Sequence, residues 1–260
     1  MGTAARREPS YKRDVESLID TEFIFEALGK LLAGVPLTLQ LALLSTLLGA
    51  VLALGLALMR ASGIVVLEGL ARLYVFAFRG SPLLVQIFLI YYGLGQFRAV
   101  RLSVLWPFLR EPYWCAVLAL TLNTAAYASE IIRGGLAAVP HGELEAARAC
   151  GMSRGLAFRR IVLPLALRQA LPAYGNELIL MVKATSLASI ITLMEITGIA
   201  AKLVSDTYRV IEVFVVAGAL YLVINFVLTR LVMAAEYGLT PHLRPAPPSA
   251  PVALVGGGGA

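Results

Sequence analysis

The sequence predicts an all-α polytopic membrane protein with about five transmembrane helices, and three observations carry that expectation. The first is composition: of 260 residues, 59% are hydrophobic and 15% charged, with a formal charge of +6. The mean hydropathy of +0.80 lies outside the range of soluble domains. The second is length. Uncharged or nearly uncharged stretches recur at Leu31 to Met59, Leu73 to Phe97, Pro112 to Ser129, Ile161 to Met194 and Val213 to Thr229. Most are long enough, at about 20 residues per span, to cross a hydrocarbon core of roughly 30 Å. The third is texture. No stretch alternates polar and apolar residues as the strands of a β-barrel do, and helices satisfy their own backbone where lipid offers no partners.

In chain order, residues 1–22 read as a flexible tail of mixed charge with no apolar core near its start, so it lacks the pattern of a cleaved signal peptide. Its "MG" start is followed at the sixth position by Arg6, where a myristoylation signal needs Ser or Thr. The membrane domain is expected at 23–243. Its first span carries no charge, its second only Arg79, and its third none. A basic segment follows, "HGELEAARACGMSRGLAFRRIVLPLAL" from His141 to Leu167. Ala146, Ala147 and Ala149 favour helix, Gly151 can end it in a left-handed conformation, and Ser153 can cap a second one. Pro164 suits the first turn of a membrane helix. The expectation is two short helices meeting at Gly151, then a turn, then the fourth span. After the fifth span, residues 244–260 are rich in Pro, Gly and Ala and are expected to be disordered.

Five spans put the termini on opposite sides. Lys and Arg favour, by about two to one over the loops, an N-terminus outside and a C-terminus in the cytoplasm. Cys115 and Cys150 are expected too far apart to pair, and neither His141 nor His242 has neighbours at metal-ligand spacing. No internal repeat stands out.

By composition alone the basic segment could be an amphipathic loop lying on anionic lipid. Its spacing says more. Glu145-Ala146-Ala147, Gly151, Ile161, Leu163 and Pro164 match E-A-A-x3-G-x9-I-x-L-P, seven fixed positions. This pattern resembles the EAA loop of ABC importer permeases. "FRGSPLLVQIFLIYYGL" (Phe78 to Leu94), "TLNTAAYASEIIRGGLAAVPHGELEAARA" (Thr121 to Ala149) and "ALPAYGNELILMVKATSLA" (Ala170 to Ala188) are similar to the polar amino acid permeases, especially the M-type subunits of histidine and opine (octopine, nopaline) permeases.

The resemblance implies a type I importer permease (MetI-like) fold, in which the loop 141–164 is a cytoplasmic coupling helix docked on a separate ATPase. Glu145 would bond the ATPase, Ala146 and Ala147 would allow close approach, and Gly151 would set the elbow. It further implies a second, Q-type permease subunit as a heterodimer partner, two ATPase subunits and a substrate-binding protein, in a bacterial inner membrane. The cargo would be polar amino acids, basic ones (histidine, arginine, lysine, ornithine) or opines. The chain has no G-x4-G-K-[ST] phosphate loop, so ATP and magnesium would be used by the partner ATPase, with no cofactor or metal on this chain and no catalytic residue.

Ionisable and amide side chains at membrane depth are the candidates for a substrate pathway. Asn123, Tyr127 and Glu130 fall on one helical face, as do Asn176 and Lys183, with Glu177 adjacent to Asn176. Thr185 and Ser186 could cap a half-helix after a break, whose N–H groups suit a carboxylate. Each also has a structural reading: Asn123 or Asn176 as interhelical glue, Glu130 paired with Arg133, Lys183 reaching an interface. The rival function is a stand-alone channel or secondary transporter for amino acids, and an exporter is disfavoured by the loop pattern.

Overall fold

The computed structural model describes residues 20–239, so the tail expected at 244–260 and all but the last three residues of the one expected at 1–22 lie outside the described residues. Among them, three helical stretches are long and apolar enough to cross a membrane, and two bent helix pairs raise the number to five where each pair is one span. Each expected apolar run falls on one of these helices or bent pairs, in accord with about five spans.

Helix α1 (Thr21–Leu32) starts two residues before the expected domain boundary, where Asp20 accepts a bond from the Phe23 N–H at 3.1 Å. That carboxylate satisfies one of the free donors of the first turn. The Arg209 guanidinium, 2.9 Å away, also holds the Asp20 carboxyl below the usual carboxylate range. After a tight turn at Gly34 comes α2 (Val35–Ala61), 27 residues and so about 40 Å long.

The second crossing departs from the expected continuous span. Helix α3 (Val65–Gly80) has 16 residues, about 24 Å, too short to cross alone. The chain then turns by 105° into α4 (Leu83–Phe88) and its irregular continuation to Gln96. The reason lies in Ser81-Pro82: proline forces its predecessor out of the helical region, and Ser81 sits at φ −109°, ψ 146°. The carbonyls freed by the corner are recaptured by a side chain. The Gln86 amide donates to Phe78 O at 2.9 Å and Ser81 O at 3.1 Å, and Asn123 in turn donates to Gln86 Oε1 at 3.0 Å.

Two single turns, α5 (Arg98–Arg101) and α6 (Trp106–Leu109), lead to α7 (Pro112–Ala137), the central helix. Its neighbours approach closely because small residues face it. Gly49 on α2 leaves room for the methyl of Thr124, and Gly135 leaves room for the carbonyl of Ala166. In a bilayer, where apolar faces gain little from leaving lipid, such backbone approach is what holds helices together. The main apolar core gathers Leu41, Ile87, Leu120, Met181, Val182 and Ile191 around α7, and a second unites α1 with the last two helices through Ala27, Leu31, Ile196, Leu203 and Val213.

Helix α8 (His141–Ala149) crosses the loop end of the bundle, and α9 (Arg154–Ala157) runs through a wide turn at Phe158–Val162 straight into α10 (Leu163–Ala184). No separate turn precedes Pro164, which corrects the expectation. A proline inside a helix clashes with the carbonyl four residues back. Here the Leu163 N–H reaches five residues back to Phe158, and the widened turn makes room for the ring. A seven-residue 3-10 stretch (Thr185–Ile191) and a left-handed Thr192 then separate α10 from α11 (Ile196–Thr207), at 46°. Helix α12 (Val210–Leu239) closes the fold, with much of its apolar surface outward.

Candidate functional site

Two regions matter: the loop end, and a thin set of polar groups within the spans. The loop begins where Pro140, extended at ψ 134°, gives way to α8. That helix ends as its sequence dictates. Gly151 sits at φ 75° with nothing within 4 Å of where a Cβ would be, so its backbone, not space, demands glycine. The Met152 N–H bonds Ala147 O at 3.0 Å and the Gly151 N–H bonds Arg148 O at 3.0 Å, a Schellman end. Ser153 then caps α9 by accepting from the Leu156 N–H at 3.4 Å.

Along α8, Glu145 and Ala146 face outward and Ala147 is buried. Gly151 is exposed, Leu163 is exposed at the far end, and Ile161 and Pro164 are half-buried. The outward surface of α8 therefore carries Glu143 and Glu145, with His141, among alanines and glycines. Its rim is basic, with Arg148, Arg154, Arg159 and Arg160 all exposed. Behind α8 lies a cavity of about 590 Å³ walled by Leu136, Leu144, Met152 and Phe158, with His141, Arg148 and Arg154 at its edge. Cys150 on this loop is free and exposed, and Cys115 is free and buried in α7.

The polar face of α7 does three separate jobs. Asn123 braces the corner through Gln86. Tyr127 receives the Arg79 guanidinium over its ring, 5.1 Å from the centroid. Glu130 bonds Arg60 of α2 and, at 2.8 Å, Arg133 one turn on, tying two helices together two turns before the loop. On α10, Glu177 is buried and accepts from the Thr124 hydroxyl at 2.8 Å, while Asn176 and Lys183 are exposed. Arg79 interacts electrostatically with Glu177. Arg79, Tyr127, Thr124 and Glu177 thus lie together; Lys183 stands apart near the start of the break.

Thr185 and Ser186 do not cap a new helix. Their hydroxyls turn back to Val182 O and Lys183 O, both at 2.7 Å, and the new helix starts ten residues later with Glu195 as its cap. Sequence reasoning missed Glu195, Gln86, Thr38 and Tyr221 as partners. A lone amide inside an apolar run was the available signal for Gln86. For Glu195 the signal was a carboxylate three residues before a glycine, although Ser, Thr, Asp and Asn are the caps one looks for.

An apolar helical bundle with up to five crossings and a basic elbow at one end defines a multi-pass membrane protein. Which membrane proteins share it is settled by comparison. The family described as the binding-protein-dependent transport system inner membrane component matches residues 45–236, and the chain belongs to it. It is 61% identical over 225 residues to the octopine transport system permease protein OccM of Rhizobium radiobacter, covering 86% of this chain and 92% of that one. It is 44% identical over 213 residues to the histidine/lysine/arginine/ornithine transport system permease protein HisM of Escherichia coli (strain K12), covering 82% and 90%. Among solved structures, a chain of an amino acid ABC transporter with histidines superposes with a TM-score of 0.76 at 34% identity, covering 85% of this chain and 99% of that one. The expected resemblance therefore holds. The protein is a multi-pass permease subunit of an ABC importer, a kind of system that works with an ATPase and a substrate-binding protein. Nothing in the comparisons supports a stand-alone channel or secondary transporter.

Proposed function

We propose that this subunit carries basic amino acids or opines, the cargo printed in the names of its relatives. The observation that carries the reading is the 61% identity to an octopine permease subunit over 86% of the chain. The partners are a Q-type permease in a heterodimer, two copies of an ATPase that uses ATP and magnesium, and a binding protein on the outer side. The N-terminus lies outside and the C-terminus in the cytoplasm, which sets the basic elbow on the ATPase side in accord with the positive-inside tendency.

Coupling runs through Glu145, Ala146, Ala147, Gly151, Ile161, Leu163 and Pro164. The exposed carboxylate and small side chains let an ATPase groove reach the backbone of α8, and the Schellman end makes the elbow rigid enough to transmit a push. Substrate passes along a seam that draws on Tyr127, Glu177, Asn176, Lys183, Thr185 and Ser186, with Asn123 and Glu130 holding its walls. Arg79 beside Tyr127 supplies the positive charge a substrate carboxylate needs, and Glu177 the negative charge for an ammonium or guanidinium.

The test is uptake by proteoliposomes containing both permeases, the ATPase and the binding protein, with labelled octopine, arginine, histidine and ornithine competed against one another. ATP-dependent uptake of at least one, abolished by Glu145→Lys in a complex that reaches the membrane, is expected. Uptake that proceeds without ATP, or that Glu145→Lys leaves unchanged, refutes the coupling assignment.

A further inference from the structure

The fourth crossing breaks at a place built from unlike halves. On the α10 side, Thr185–Ile191 is a 3-10 stretch of seven residues, longer than the three or four usual for this poorer hydrogen-bond geometry. It ends at Thr192, a β-branched residue at φ 71°, a conformation that survives only where the surroundings dictate it. On the α11 side the packing is tight. Glu195 is 0% exposed. One carboxylate oxygen accepts from the Gly198 N–H at 2.9 Å, and the other from the Tyr221 hydroxyl at 2.6 Å and the Thr38 hydroxyl at 3.4 Å. Tyr221 also meets the Thr197 hydroxyl at 3.2 Å.

These donors come from α2, α11 and α12, and no ion pair of the described residues includes Glu195. Backbones crowd the same point: a Cβ on Gly34 would lie 2.6 Å from Ile196 N and 2.8 Å from Glu195 C, and one on Gly198 would strike the Leu193 carbonyl. A buried carboxylate held by hydroxyls and backbone amides is strongly directional, because each lost donor leaves charge without compensation. It fixes the start of α11 against the first and fifth crossings. The neighbouring 3-10 stretch holds no buried charge: it meets this cluster through the Thr185 hydroxyl beside Tyr221 and otherwise packs by the apolar Ala188 and Ile191, and α10 beyond it is continuous with the elbow.

We propose that Glu195 is a positioning residue for transport, seating α11 on α2 and α12 so that Thr185–Leu193 is the hinge at which α10, moved by the elbow, pivots against a fixed helix. Displacement arriving along α10 is absorbed where the backbone is already strained, and α11 stays with α1, α2 and α12. This rests on the importer reading above.

The experiment uses the full transporter in liposomes, with Cys150→Ser in the permease and spin labels at two pairs of exposed sites. Leu180→Cys with Lys202→Cys spans the hinge, and Lys202→Cys with Leu222→Cys spans the seat. On adding a non-hydrolysable ATP analogue and loaded binding protein, the first distance is expected to shift while the second stays fixed. Glu195→Gln is expected to broaden the second distance and to lower uptake per ATP hydrolysed at least fivefold with hydrolysis retained, and Glu195→Asp to recover part of the loss. Where Glu195→Gln does not assemble, Tyr221→Phe removes one donor and is read the same way. Uptake per ATP within twofold of wild type, or a seat distance that moves as much as the hinge distance, overturns the proposal. A wild-type complex that neither hydrolyses ATP nor transports defeats the importer reading instead. The seat is then judged by the second pair alone, which broadens in Glu195→Gln if the anchor is real and stays narrow if it is not.

Discussion

Replacing Gly135 by alanine is expected to destabilise the protein, whereas the same change at the adjacent Gly134 is expected to stabilise it. Both glycines lie within α7, where alanine is the better helix former by about 0.5–1 kcal/mol. At Gly134 nothing lies within 4 Å of the new Cβ, so that gain stands alone. At Gly135 the Cβ would lie 2.6 Å from the Ala166 carbonyl oxygen and 2.9 Å from the Ala170 Cβ. The first is about 0.9 Å inside the roughly 3.5 Å where such contacts turn attractive. The obstacle is backbone, so no rotamer change relieves it, and α10 must move away. Overpacking of this kind costs about 1–3 kcal/mol. Set against the helix gain, the net cost at Gly135 is about 0–2.5 kcal/mol; at about 2–4 °C per kcal/mol for a domain of this size, Gly135→Ala should melt up to about 10 °C below wild type, and Gly134→Ala about 1–4 °C above. Thermal unfolding of the purified protein in detergent, followed by intrinsic fluorescence, measures both. Equal melting temperatures for the two variants would refute the close helix crossing at this point.

The elbow, the ion pair and the N-terminal cap give further tests. Gly151→Val forces a β-branched residue into a left-handed position at about 1–2 kcal/mol, so ATP-driven uptake should fall at least fivefold. Gly151→Asn should keep more than half of it, and equal losses would show that φ is not the constraint. Glu130→Ala leaves the Arg60 side chain, 19% exposed, without its partner, and should cost about 2 kcal/mol in thermal unfolding. Arg60→Ala should cost about half as much because Glu130 keeps Arg133, and a reversed order would contradict the three-membered cluster. The Asp20 carboxyl is held low first by its bond to Arg209 and then by the Phe23 N–H. Its contribution is thus present above its ordinary value near ~3.9 and is lost as pH falls through the lowered folded-state value. The protection of amides at the start of α1, taken as exchange relative to the intrinsic rate at each pH, should fall on acidification through that window in wild type, and Asp20→Asn should remove the change.

The crossings were legible because a bilayer asks one crude question of a sequence, whether about 20 residues in a row can do without water, and the five apolar runs answer it. The elbow was legible for the opposite reason. A left-handed glycine, a serine cap and three alanines are local signals that depend on no distant partner, and Gly151 and Ser153 do what their residue types suggest. The corner at Ser81-Pro82 was half legible: proline announced a perturbation, but only Gln86 and Asn123, five and forty-two positions beyond Ser81, decide that it becomes a 105° turn. The polar groups were least legible. Asn123, Tyr127 and Glu130 share a helical face, yet that face meets three different neighbours, and periodicity cannot say which. Glu195 escaped because its partners Thr38 and Tyr221 lie 157 and 26 residues away.

The outward face of α8 offers two carboxylates, Glu143 and Glu145, with His141 and Arg148, set among small residues that leave its backbone within reach. Under the proposed coupling, a docking partner would meet few bulky side chains there and would read largely the angle at which the helix is presented. Exchange between related systems follows. Under the same proposal, an ATPase fitted to one such elbow should accept another bent at the same glycine. Divergence in cargo can then proceed among the spans while the drive shaft stays standard.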